Sequence, residues 1–384
     1  MYRVVCLLAM QSARDEGRVR FRVYYQKRSR LSWMLASPFL RKLCPNTVRS
    51  AVSMRWLNVP GLTDVFVSFS IDKTYTKQPE VFESYDDGFI VRAMTPSDAQ
   101  TVENWVASLV TTSRYDLHTA LKVFPTTGRG FYIGEYEGAV VASCIRIPWG
   151  NDAYYGSYYY VREEYRGRGF GTRMRDQVAY GHVLEANGVL CIDAVEGTVT
   201  DKNEAKFSYV KAFVTMRYGI EAKDFGLKYN GKIVQADSVP FDQLISFDNK
   251  HFISKDYPVR RKFLQEWIKT PGGAAAVALN GHGQIVAFGQ RRPSVSFQPR
   301  NHFIGPLYGD DIDSAMAVLQ HLCSDVLGDR IFIQIWKPNT EGVKMIENLG
   351  FQKEFDITRM HANGDICEYK PTVYSVTSLK VCGF

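Results

Sequence analysis

The strongest constraint on the fold of this chain is the stretch Val161-Arg162-Glu163-Glu164-Tyr165-Arg166-Gly167-Arg168-Gly169-Phe170-Gly171-Thr172. The aromatic, β-rich run Tyr154–Val161 leads into it. Met174, Val178 and Leu184 follow at helical spacing until Asn187-Gly188 closes the helix. A strand therefore enters a helix through a turn with glycine at every second position. Glycine there permits φ > 0 and lets the backbone approach a ligand. Successive N–H groups backed by a helix N-terminus suit a pyrophosphate. The stretch lacks the third-glycine spacing of a dinucleotide fingerprint and the GK[ST] of a P-loop. A Gly-rich turn without a ligand is the plainer alternative.

The flanking pattern predicts a mixed α/β sheet. Phe89–Met94 reads as a strand. Thr95-Pro96-Ser97-Asp98 reads as a capped helix start, and Val102, Trp105, Val106 and Leu109 continue it. A second helix spans 117–123. Phe131–Glu135 and Ala139–Ile147 form a hairpin about Tyr136-Glu137-Gly138. Val189–Val195, continuously apolar apart from Asp193, reads as a central strand, with a helix over 204–213 after it. Residues 236–250 are polar and acidic and read as a connector. The order then repeats broadly: helix 258–269, strands 274–279, 285–290 and 302–308, helix 312–327, strand 331–336, helix 340–348 and strand 351–358. This predicts domains at 86–240 and 250–384, behind a basic, largely disordered extension at 1–85.

Arg166, Gly169 and Gly171 fill the signature [Q/R]-x-x-G-x-[G/A], and Arg-x-x-Tyr-Arg-Gly-Arg-Gly-Phe-Gly surrounds it. In this the chain resembles motif A of the GNAT (Gcn5-related N-acetyltransferase) superfamily over roughly residues 88–235. Ile304-Gly305-Pro306-Leu307-Tyr308 and Glu341…Asn348-Leu349-Gly350-Phe351 resemble the degenerate C-terminal domain of two-domain, YitH-type members. The resemblance implies tandem GNAT-like acyl-CoA N-acyltransferase folds. Gly309-Asp310-Asp311-Ile312-Asp313 offers no Gly-rich cradle, and its acids repel a pyrophosphate, so the cofactor belongs to the first half.

By the same resemblance, acetyl-CoA lies where strands 154–161 and 189–195 splay apart. The backbone of Tyr159, Tyr160 and Val161 pairs with the pantetheine arm, and one N–H there steadies the thioester oxyanion. The N–H groups of Gly167, Arg168, Gly169, Phe170, Gly171 and Thr172 cradle the pyrophosphate. Arg166, Arg168 or Arg173 meets its charge. The acceptor is a primary amine of a small molecule or amino acid. Candidate bases are Glu135 and Asp193, each also suited to a structural place. Tyr209, in Tyr-Val-Lys-Ala-Phe where the family has Tyr-x-x-x-Gly-Phe, is the candidate acid for the leaving thiolate. A non-catalytic acyl-CoA-binding module and a glycine N-acyltransferase-like enzyme are the alternatives.

Charge and cysteines place the remainder. Of 47 Lys+Arg and 40 Asp+Glu, residues 1–60 hold twelve basic and two acidic side chains, so that segment carries +10 and the rest −3. An Arg-rich, acid-poor start matches a transit peptide or a simple extension, giving a cytoplasmic or mitochondrial address. It also removes the case for a nucleic-acid partner. No run of apolar residues approaches membrane-spanning length. The seven cysteines are scattered without a CxxC, which suits neither a disulfide framework nor a zinc site, and no metal is expected.

Overall fold

The computed structural model describes residues 79–384 apart from 108–112, 114, 125–128, 151, 196–207, 253–258, 295–299, 365–368 and 381–384. It also describes strand positions 8–9, 18–26, 52–57 and 64–72. Two units divide at Pro79/Glu80. In the first, β1 (Leu8–Ala9), β2 (Arg18–Gln26), β3 (Val52–Leu57) and β4 (Asp64–Asp72) pair antiparallel in the order β1-β2-β4-β3. For the rest of residues 1–78, the expected extension and transit peptide lie outside the described residues.

The second unit opens with β5 (Val81–Ser84), ahead of the expected first strand, and β6 (Phe89–Ala93). Helix α1 (Pro96–Val106) starts as its sequence dictates. The Thr95 side chain accepts from the Asp98 N–H, and the Asp98 carboxylate accepts from the Thr95 N–H at 2.8 Å. Helix α2 (Asp116–Val123), β7 (Phe131–Tyr136), β8 (Ala139–Gly150) and β9 (Ala153–Val161) follow. Helix α3 begins at Phe170–Thr172 and continues as a π-helical turn, Arg173–Ala179. It breaks at Tyr180 before α4 (Gly181–Glu185), where the sequence predicts one unbroken helix. Then come β10 (Val189–Val195), β11 (Val210–Glu221) and β12 (Lys232–Gln235).

The second half comprises α5 (Phe241–His251), α6 (Arg260–Trp267), β13 (Ala274–Leu279), β14 (Ile285–Pro293) and β15 (Asn301–Gly309). After them come α7 (Ile312–Ser324), β16 (Arg330–Trp336), α8 (Thr340–Asn348), β17 (Gln352–Ala362) and β18 (Val373–Ser375).

Two predicted elements are corrected. The connector at 236–250 contains helix α5. Its acidic face hides buried Leu244, Ile245, Phe247, Asp248 and His251, spaced for one side of a helix. The helix predicted over 204–213 is strand from Val210 onward, while 204–207 lie outside the described residues. Lys211 and Ala212 favour helix locally, but Met216, Tyr218 and Ile220 alternate with period two and are buried as a strand face.

The strands form one sheet in the order β12-β13-β14-β15-β16-β11-β17-β10-β9-β8-β7-β6-β5, with β18 on β15. The centre is an exchange. β11, from the first half of the sequence, pairs antiparallel with β16, and Met216, Tyr218 and Ile220 join the second half's core. β17, from the second half, pairs antiparallel with β10, and Met360 and Ala362 join the first half's core. β11 and β17 pair with each other. Each half is thus closed by the other's strand. Contacts accordingly do not divide near 240–250, since β11 and β12 pair with strands of the second half. An exposed edge at β10 or β16 would leave a row of unpaired N–H and C=O groups, and the exchange covers both.

Candidate active site

The site is built where parallel pairing fails. β9 and β10 are in register from Val189↔Ala153 to Ile192↔Gly156 and no further. Beyond that point β9 stays with β8 as far as Ala142↔Val161, while β10 follows β17 to Val195↔Ile357. Residues 157–161 and 193–195 therefore face a wedge. A β-bulge sharpens it: Ser143 pairs with Tyr160 and Ile145 with Ser157, leaving Tyr158 and Tyr159 opposite one residue. Tyr158 takes a left-handed φ of 46°, and buried Ser143 donates its hydroxyl to the Tyr158 carbonyl at 2.7 Å. The bulge turns β9 away from β10 and re-aims its N–H groups. The sequence alone gave no sign of it.

At the vertex stands Gly156. A Cβ there would lie 2.5 Å from the Tyr180 hydroxyl and 3.2 Å from Ile192 Cγ2. The wedge opens into a cavity of 270 Å³. Its walls include Ser157, Tyr159, Arg175, Asp176, Asp193 and Tyr209, with Leu379 and Lys380 from the C-terminal segment. The π-turn of α3, closed by Tyr180 N–H to Arg175 O at 2.7 Å, brings Arg175, Asp176 and Tyr180 to the cavity. Arg175 lies 4.9 Å from the Tyr159 ring centre and donates to Asp176 at 2.6 Å.

The Gly-rich turn adjoins the open end of β9. Gly167 and Gly169 have φ of 80° and 79°, and residues 166–169 are exposed. The first N–H groups of α3, from Phe170, Gly171 and Thr172, have no intrahelical acceptor by helix geometry. Arg166 donates its Nε–H to the Val161 carbonyl at 3.0 Å and lies over Tyr160, whose ring stacks on Trp105. Arg168 lies over Tyr136 and Tyr165. Arg173 forks onto Asp87 at 3.0 and 2.7 Å, an ion pair that raises its pKa, so its charge is already matched.

The three candidate proton-transfer residues separate. Tyr209 is buried at the cavity wall, and burial pushes its pKa well up, so it stays a phenol. Asp193 is at the cavity, but the exchanged strand sets Arg359 directly across from it in register. The guanidinium grips both carboxylate oxygens, one at 3.0 Å, with side-chain exposures of 0% and 4%. The Tyr155 hydroxyl, whose pKa burial raises, has one proton facing two acceptors, Asp193 Oδ2 at 2.8 Å and the Leu379 carbonyl. Glu135 is not part of the cavity lining. It accepts from Arg92 at 2.8 Å on the β6–β7 side, and Arg92 also holds Asp98. Arg359 and Lys380 were missed by sequence reasoning, because only strand exchange and the tail's path bring them here.

The second half has an equivalent wedge, and it is filled. β15 and β16 pair in parallel from Asn301↔Arg330 to Ile304↔Ile333, then part. β18 enters the gap. It pairs with β15 at Leu307↔Ser375, Ser375 Oγ donates to Ile304 O at 2.7 Å, and Val376 N–H donates to Gln334 O at 2.9 Å. The chain itself thus supplies the missing strand there.

Two family models match the chain: residues 99–207 match the "Acetyltransferase (GNAT) family" and residues 247–375 an "Acetyltransferase (GNAT) domain". The chain is a two-domain GNAT acyltransferase. A protein from Pseudoalteromonas sp. (strain SANK 73390) named holothin acyltransferase is 24% identical over 80% of this chain and 95% of its own. A crystal structure from Pyrococcus horikoshii, described as an acetyltransferase, superposes with a TM-score of 0.58 at 21% identity, over 78% of this chain and 97% of that one. A tandem GNAT protein from the clavulanic acid biosynthesis pathway gives 0.52 at 13% identity, over 72% and 99%. These likenesses agree in fold with the doubled architecture of this GNAT chain.

Proposed function

We propose that this GNAT protein transfers an acetyl group from acetyl-CoA to a primary amine of a small molecule, at the wedge between β9 and β10. The observation that carries the proposal is the contrast between the halves. The first wedge is open and ends at a Gly-rich turn, whereas the second is closed by β18. Residues Tyr159–Val161 do not pair with β10 and take the pantetheine amides, Arg166 releasing the Val161 carbonyl as it turns to the pyrophosphate, and the bulge N–H groups face the thioester carbonyl. The turn from Gly167 to Thr172 takes the pyrophosphate, with Arg166 and Arg168 beside it.

Tyr209 is the acid that protonates the departing thiolate. A buried phenol keeps its proton at neutral pH, so it is present as a hydrogen-bond donor to the sulfur as the C–S bond breaks. Asp193, doubly bonded by Arg359, and Glu135, bonded by Arg92, serve as positioning groups, since the guanidinium hydrogen bonds occupy the oxygens that a general base would offer to the amine. The test is thermal denaturation with acetyl-CoA, followed by detection of released thiol across an amine panel. The relative named for holothin puts that compound in the panel. Acetyl-CoA that leaves the Tm unchanged at millimolar concentration refutes the proposal.

A further inference from the structure

The tail beyond β18 crosses from the filled wedge to the open one. Thr377 and Ser378 are buried, and both are tied into a buried ion pair. Arg292, salt-bridged to Asp116, donates to the Thr377 carbonyl at 2.8 Å, and the Ser378 hydroxyl donates to Asp116 Oδ2 at 2.8 Å. The next two carbonyls accept from the open wedge itself: Leu379 O from Tyr155 and Lys380 O from the Ser157 hydroxyl. Tyr155 and Ser157 flank Gly156, where pairing with β10 ends. The tail thus arrives on a defined face of the sheet. Tyr155, Cys191 and Leu379 share one core cluster, while Ile192, Ala194, Tyr180 and Tyr209 pack in the cluster of α3. Lys380 lines the same cavity as Arg175, Asp176 and Asp193, where the open wedge would bring acyl-CoA.

We propose that Lys380 is an acyl acceptor in its own right, modified in cis by acyl-CoA bound in the wedge. This rests on the acyl-CoA reading above. The neutral Nζ attacks the thioester carbonyl carbon, a C–N bond forms and the C–S bond breaks. The proton lost by nitrogen ends on the CoA sulfur, giving a thiol and an acyl-lysine. Lys380 is half-buried, and a lysine held there only for packing would be matched to a carboxylate. The nearby carboxylate, Asp193, is already clamped by Arg359, and no ion pair of Lys380 occurs among the described residues. Burial lowers the Lys380 pKa against the pull of Asp193, which favours the neutral amine that the step needs. A tethered nucleophile beside the bound thioester also avoids the entropy cost of a second encounter.

The experiment uses the full chain with acetyl-CoA and follows the C-terminal peptide by mass spectrometry, with a thermal scan on the same sample. One acetyl group should accumulate on Lys380 at least about tenfold faster than on the other lysines. Its first-order rate should not change on dilution of the protein. Excess CoA should suppress it, and so should Gly169→Glu, which puts a side chain and a negative charge at the cradle. If that variant fails to fold, CoA competition on the unaltered chain answers the same question. Labelling spread evenly over lysines, a rate proportional to protein concentration, or labelling indifferent to CoA overturns the proposal. A thermal shift with no label on Lys380 overturns it alone, whereas no thermal shift overturns the acyl-CoA reading as well.

Discussion

Replacing Arg359 with methionine tests the strand exchange and the site together. Arg359 belongs to β17 in the second half, yet its guanidinium is fully buried against Asp193 of β10 and lies 5.3 Å from the Tyr155 ring centre. Methionine keeps most of the stem's packing and removes the charge. Asp193 would then be a 4%-exposed carboxylate that keeps the Tyr155 hydroxyl, at 2.8 Å, as a donor. Breaking a buried pair from one side costs about 3–5 kcal/mol. For a cooperative unit of roughly 300 residues that is a fall in Tm of roughly 5–8 °C. The sign of the second step is the sharper test. Asp193→Asn alone should destabilise, because it orphans the guanidinium. Added to Arg359→Met, it should recover about half of the loss, because no buried charge remains. Calorimetry and urea denaturation of residues 1–384 read both. A loss under about 1 kcal/mol for Arg359→Met, or simple addition of the two losses, would refute the claim that this pair spans the halves as a buried unit.

Gly156→Val should abolish the thermal shift with acetyl-CoA, because its side chain meets the Tyr180 hydroxyl and Ile192 at the vertex of the wedge. Tyr209→Phe should lower kcat about 10²-fold while leaving the acetyl-CoA thermal shift in place, as expected for loss of an acid and not of binding. Ending the chain at Thr372 removes buried Val373, Tyr374, Val376 and Leu379, each worth about 1.5–3 kcal/mol, so the second unit should lose most of its cooperative transition in calorimetry. His251 gives a pH dependence. Burial depresses its pKa to about 4 despite Asp310, with Lys250 and Lys370 also opposing its charge and Thr372 on its other nitrogen. The unfolded state therefore binds more protons between about pH 6.5 and 4, and stability should fall as pH drops through that window and stay level above it. In a urea series across pH, His251→Gln should flatten that slope.

Much of the fold was legible because local chemistry and tertiary packing agree. The Thr95–Asp98 capping box, the 131–136 and 139–150 hairpin and the apolar run 189–195 form as their residues predict. The Gly-rich turn between β9 and α3 was legible because glycines at alternate positions before a helical pattern supply the positive φ that such a turn needs. Illegible parts depended on partners distant in sequence. The 210–221 segment is a strand because β16 and β17 lie on either side of it. The acidic 241–251 segment is a helix because one apolar stripe meets the core. Asp193 is in sequence a candidate base equally suited to a structural place, and in space it is a clamped ion, a choice hidden because Arg359 lies 166 residues away along the chain.

The sequence by itself therefore determined most of the order of elements, the doubled α/β pattern and the place of the Gly-rich turn. Periodicity, caps and glycine spacing act over a few residues. Tertiary structure alone decided which of the two wedges stays open. Both arise where parallel strands part, but β18 reaches one, and the bulge at Tyr158 with the vertex at Gly156 shapes the other. It also decided that the halves complete one another and that Leu379 and Lys380 line the open wedge. Unpaired strand edges must find partners, and the nearest edge in space belongs to the other half of the chain.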